Sequence, residues 1–185
     1  MKRNRFLAVL LLLCQQLIGQ WNPNTSVNLE VSTLPVADLQ TVITSTGKTW
    51  VAFYHANSGN YDMRAQLLDV DGTKLLGPDG MLVDNQPSGT ATFVFSICKD
   101  ASDNLVIAYQ DQRSGSQQAV AYKISQSGAH LWSSTGVILG AGLAPYPAAL
   151  SNGETVISWN ESGSNTLKLQ KLSAAGTPQW STPVS

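Results

Sequence analysis

Few side chains in this chain could do chemistry, and they are scattered. Carboxylates stand at Asp38, Asp111 and Glu161, the last two at matching places just after the runs Leu105–Tyr109 and Thr155–Trp159. A glycoside hydrolase needs two such groups about 5 to 10 Å apart, but the first run is followed at the matching place by Ala56. The two histidines, His55 and His130, fall in different segments. That spacing suits neither a nucleophile–base pair nor a histidine metal cluster. Asp69-Val70-Asp71-Gly72 looks like half a calcium loop, yet lacks the further oxygen ligands and the closing Glu. A tight turn accounts for it. The expectation is therefore no catalytic residue, no bound metal and no cofactor.

The elements that position these groups announce themselves through glycine. Gly59 and Gly72, Gly115 and Gly128, and Gly163 and Gly176 are each thirteen positions apart. Four residues after each second glycine stands a bulky residue: Leu76, Trp132 or Trp180. A fixed unit of roughly 50 residues marks a stacked or radial repeat. Trp50–Tyr54, Leu105–Tyr109 and Thr155–Trp159 line up as strand-length β-branched and aromatic runs, each after a turn and an earlier apolar run. A third, alternating strand follows at Asp62–Leu68, Gln118–Ile124 and Thr166–Leu172. A short fourth is expected at Met81–Val83 and Val137–Leu139.

Four antiparallel strands per unit describe a β-propeller blade. The fold class is all-β: about three propeller-type blades in an incomplete ring, with units at roughly 21–75, 76–131 and 132–179 and a fourth starting at 180. A β-sandwich is the runner-up but leaves the glycine spacing unexplained. The repeated bulky residue is expected to pack between blades. Missing blades or a second copy would be needed to close the ring, since open sheet edges invite pairing. Of these two, the reading prefers an N-terminal portion of a longer protein.

Ahead of the repeats, Met1-Lys2-Arg3-Asn4-Arg5 and the apolar Phe6–Leu13 read as a signal peptide over residues 1–19, cleaved after Gly19. The rival reading, a lipid anchor on Cys14, is weakened by Leu13 where a small residue is usual. Loss of Lys2, Arg3 and Arg5 leaves eight cations against twelve carboxylates. That balance argues against nucleic acid and membrane surfaces as partners, and the exported chain is placed outside the cell or on its surface. Cys98 then has no partner for an intrachain disulfide and reads as a buried small residue on a strand at Phe93–Cys98.

The unit resembles the propeller-like repeats near the N-terminus of large secreted proteins from Gram-negative bacteria that use type IX secretion. The resemblance rests on Gly59-Asn60-Tyr61-Asp62-Met63-Arg64-Ala65-Gln66, Asp71-Gly72, Gly80-Met81-Leu82-Val83, the Gln110–Gly115 loop, and Gly128 with Trp132. It implies a blade rather than a reaction. The sorting segment that ends such proteins is not visible here. Sialidases also use propellers, but the S-x-D-x-G-x-T-W box is missing, and Arg64 and Arg113 are the only arginines past the leader.

Topology says where a ligand would sit. Loops between second and third strands share an end of the blade with the crossings between blades. That end is expected to collect His55, Asn57, Asn60, Tyr61, Asp111, Arg113, Asn160 and Glu161, with Gln86 and Tyr146 from the crossings. Amides with aromatics suit carbohydrate or a protein loop. The function expected from sequence is a secreted, non-catalytic interaction or scaffold module. The alternative is part of a propeller glycosidase or carbohydrate-binding protein.

Overall fold

The computed structural model of this chain describes Asn24 and residues 26–88, 94–164 and 166–185; the leader, Cys14, Gln20, Trp21 and Phe93 lie outside them. All described regular structure is β. The strands are β1 (Val36–Ile43), β2 (Thr49–Asn57), β3 (Asn60–Leu68), β4 (Met81–Asp84), β5 (Phe95–Lys99), β6 (Leu105–Asp111), β7 (Gln118–Ile124), β8 (Val137–Ala149), β9 (Thr155–Glu161) and β10 (Leu167–Leu172). They form antiparallel meanders of four strands, β1-β2-β3-β4, and six, β10-β9-β8-β7-β6-β5.

The six-stranded sheet is two blades joined by one strand. β8 is thirteen residues long. Its first part, Val137 to Ala141, pairs with β7, and Gly142 to Ala149 pair with β9. The ladder slips between Leu143 and Tyr146, where Ala144 takes a φ of 49°. β8 thus serves as fourth strand of the second blade and first strand of the third. Val184 bridges Leu169 and begins a fourth strand for the third blade. The result is three propeller-type blades in an incomplete ring.

Blades pack face to face in series. Trp50, Ala52, Tyr54, Met63 and Leu67 of blade 1 meet Phe95, Leu105, Ile107, Val120 and Tyr122 of blade 2 in one core. The opposite face of blade 2, through Val106, Ala108, Ala119, Ala121 and Trp132, meets Ile157, Trp159 and Leu172 of blade 3 in another. Alternation along β7 therefore feeds two cores, and both faces of this third strand are buried. A sandwich would have a single core. Burying each large side chain contributes about 1.5–3 kcal/mol, so the two seams dominate the stability of the arc.

The bulky repeat residue is a knob and the glycine a socket. Trp132 is buried, and its indole Nε1 donates to the Ala174 carbonyl of blade 3 at 3.0 Å. A Cβ on Gly176 would lie 2.6 Å from Trp132 Cγ. One blade earlier, a Cβ on Gly128 would stand 3.2 Å from Leu76 Cδ2. These glycines also hold turns at φ near +84°, so one residue meets two demands.

The repeat register differs from the ungapped strand alignment by one residue. Matching turns close through Thr44 N to Lys48 O, Asp100 N to Asn104 O, and Leu150 N to Glu154 O. Thr49, Leu105 and Thr155 are therefore equivalent, and Trp50 matches Val106 rather than Leu105. A slip of one exchanges the two faces of a strand. Aromatic residues stand on both faces here, at Tyr54 and at Tyr109, which hid the slip in the sequence. The residue matching Asp111 and Glu161 is His55, not Ala56.

Candidate functional site

The loops after second strands do lie against the inter-blade crossings. Equivalent amides donate to crossing carbonyls in each unit: Ala56 to Pro35, Gln112 to Pro87, and Ser162 to Ala141. The shared end of the arc is thereby built from backbone. Eight of the ten sequence-selected residues lie there in separate groups, and two lie elsewhere.

In blade 1, His55 Nδ1 lies 3.5 Å from Asp62 Oδ2, and Asn57 Nδ2 donates to that same oxygen at 2.9 Å. Asn60 ties down the crossing to blade 2. Its Nδ2 reaches the carbonyls of Asn85 and Gln86, each at 3.3 Å, while its Oδ1 accepts from the Ser88 amide and hydroxyl. Tyr61 is half-buried, edge-on to Tyr54 with centroids 6.3 Å apart. Gln86 is half-buried and enters this group through its backbone. Tyr146 and Asn160 stand apart. Tyr146 pairs with Ser158 on β9, and Asn160 with Leu167 on β10, so both belong to the far face of blade 3.

The densest polar cluster fills the seam between blades 1 and 2. Arg113 Nε donates to Asp111 Oδ2 at 2.6 Å, and a second guanidinium nitrogen pairs with that same oxygen. Nη2 also reaches Asp84 Oδ2 and the Tyr122 hydroxyl, each at 3.1 Å, and Nη1 donates to the Thr135 carbonyl. The Tyr109 hydroxyl donates to Asp84. The two tyrosine rings stack at 5.9 Å, and His130 meets Tyr122 edge-on. Asp111 is wholly inaccessible, and Asp84 and Arg113 are 6% and 11% exposed.

Burial raises both tyrosine pKa values, Tyr122 to about 12 and Tyr109 well above its ordinary value, so both hydroxyls stay protonated, Tyr109 donating to Asp84 and Tyr122 accepting from Arg113. Burial works against the Arg113 charge, but Asp111 and the Tyr122 hydroxyl outweigh it and raise its pKa. Burial lowers the pKa of His130 despite the nearby Asp84. One cation bridging two carboxylates in a closed seam holds blades in place; neither carboxylate is open to a substrate.

Asp84, Tyr109 and Tyr122 were not selected from sequence. The signal lay in the repeat. Gln66 and Gln170 each bracket the bulky residue of their unit, accepting the amide of Leu76 at 2.9 Å and of Trp180 at 3.2 Å. The corresponding residue in blade 2 is Tyr122, whose hydroxyl turns instead to Arg113.

The equivalent place between blades 2 and 3 is an open cleft of about 310 Å³, lined by Leu139, Gly140, Ala141, Trp159, Glu161, Lys168, Thr182 and Pro183. Glu161 accepts from Ser164 Oγ at 2.7 Å and lies 3.7 Å from Lys168 Nζ. Among the described residues no group of three or more His, Cys, Asp or Glu could hold a metal ion, and no helix is long and apolar enough to cross a membrane. Compared with known proteins, the chain matches no family model and no curated protein.

Proposed function

We propose that this chain is an exported, non-catalytic blade module that docks or scaffolds other protein surfaces, of the kind carried by large secreted proteins. The observation that carries this reading is the far face of blade 3. Its positions Val156, Leu167 and Leu169 correspond to Val106, Ala119 and Ala121 of blade 2, which are fully buried against blade 3. They also match Trp50, Met63 and Ala65 of blade 1, fully buried against blade 2. In blade 3 the same face leaves Leu167 54% and Tyr146 64% exposed. Exposed apolar side chains on a repeat face whose other copies are covered support a surface made to be covered, by a further blade or by another protein. The locking of Asp111 by Arg113 favours docking over the glycosidase reading, because a carboxylate engaged in a closed ion pair is not free to move protons.

Photo-crosslinking in the producing cell tests the reading, with a benzophenone side chain at Leu167 and a control at Ser151 on an exposed turn. One defined crosslinked species from position 167 and none from 151 is expected. Equal yields from both positions would refute docking through this face.

A further inference from the structure

At the end of the arc where the crossings gather, the first seam is filled and the second holds an open cleft. Asp84 pairs with Met63 on β3, and Gly140 pairs with Ala119 on β7, so Gly140 stands where blade 1 has Asp84. Glu161 likewise occupies the register of Asp111. Between Asp111 and its partner Gln118 lie six residues, among them Arg113. Between Glu161 and Thr166, whose carbonyl accepts the Glu161 amide, lie four and no arginine. The space that a guanidinium fills in the first seam is therefore open in the second.

Charge balance decides what fits. The first seam sets two carboxylates around one guanidinium and takes a cation. The second offers one carboxylate and one ammonium, Glu161 and Lys168, 38% and 21% exposed. A further singly charged group would be attracted by one member of the pair and repelled by the other, with little net gain. A neutral ligand carrying adjacent donors and acceptors satisfies both: a hydroxyl donates to Glu161 while its neighbour accepts from Lys168. Leu139 and Pro183 supply the apolar walls. A volume of about 310 Å³ lies at the small end of ligand sites.

We propose that the Glu161–Lys168 cleft binds a single neutral sugar residue through two adjacent hydroxyls. This deepens the interaction-module reading and rests on it, but uses a different surface from the far face of blade 3.

The test is a titration of the whole exported chain, labelled with ¹⁵N, with methyl pyranosides of glucose, galactose, mannose and N-acetylglucosamine. The indole N–H of Trp159, which lines the cleft, is followed as reporter. At least one sugar should shift that signal in a saturable way. Glu161→Gln and Lys168→Met should each weaken binding about tenfold, the loss expected of one hydrogen bond to a charged group. Lys171→Gln, which removes the Glu154 partner outside the cleft, should leave binding unchanged and all three variants folded. The proposal is overturned if no pyranoside moves the indole signal, if binding survives both cleft substitutions, or if N-acetylarginine amide binds and no sugar does. None of these results bears on crosslinking from Leu167, so the two readings fail separately.

Discussion

Replacing Gly176 with alanine isolates the knob-and-socket seam. Gly176 sits at φ +84°, and a left-handed conformation costs a residue with a Cβ about 1–2 kcal/mol. The new methyl would also stand 2.6 Å from Trp132 Cγ and 2.8 Å from Cδ1. Forcing a methyl into a packed interface costs about 1–3 kcal/mol more. Gly176→Ala should therefore destabilise by about 2–5 kcal/mol. Gly163 is the internal control: its φ is +88°, but nothing lies within 4 Å of a Cβ there. Gly163→Ala should lose the backbone share only, about 1–2 kcal/mol. Urea unfolding followed by circular dichroism gives both values.

A second substitution sharpens the test. Trp132→Leu installs the knob that blade 1 already uses at Leu76, and it gives up the indole bond to Ala174. In the double variant the smaller knob makes room for the methyl. The two changes should then cost less together than separately, by about 1–2 kcal/mol of coupling. Equal destabilisation by Gly176→Ala and Gly163→Ala, or strict additivity with Trp132→Leu, would refute the socket.

Other substitutions probe the remaining polar and thiol groups. Arg113→Met strands two buried carboxylates and should cost about 3–5 kcal/mol in the same unfolding assay. Arg113→Lys should recover little of it, because an ammonium cannot span Asp111, Asp84, Tyr122 and the Thr135 carbonyl together. The Lys99 ammonium and the Ser45 hydroxyl and amide depress the Asp103 pKa to about 2. Its stabilisation is full above the unfolded value of about 3.9 and is lost as pH falls through the folded value. Melting temperatures between pH 5 and 2 should accordingly fall more steeply in the parent than in Asp103→Asn. Burial raises the pKa of the Cys98 thiol. Alkylation at Cys98 near neutral pH, read by peptide mass, should be slow in the folded chain and rapid in urea.

Much of the blade could be read from sequence because its signals are local. The thirteen-residue glycine spacing marks two turns on either side of one strand, and the third strand Gln118–Ile124 has the limits that its alternation suggests. Leu76 and Trp132, four positions on from their glycines, land in the seams, as steric bulk beside a turn would suggest, whereas Trp180 meets only Gln170 of its own blade in hydrogen bonding. What escaped was non-local. Two runs of similar composition slide past each other by one residue without penalty in sequence, and only the turn hydrogen bonds fix their phase. The short fourth strand expected at Val137–Leu139 runs on to Ala149 because β8 passes from one blade to the next. Asp84 joins Arg113 across 29 positions, and no periodicity links residues contributed by two blades.

β8 also determines how the arc responds to load. A pull along this strand is resisted in shear by hydrogen bonds to two blades at once, β7 holding one half and β9 the other. Shear requires many bonds to fail together, whereas peeling an edge strand breaks them one by one. Blades 2 and 3 therefore share a continuous strand, while blade 1, a separate sheet, is held to blade 2 by the packed core and the Arg113–Asp84 pair. Under tension the seam between blades 1 and 2 is expected to part before β8 gives way.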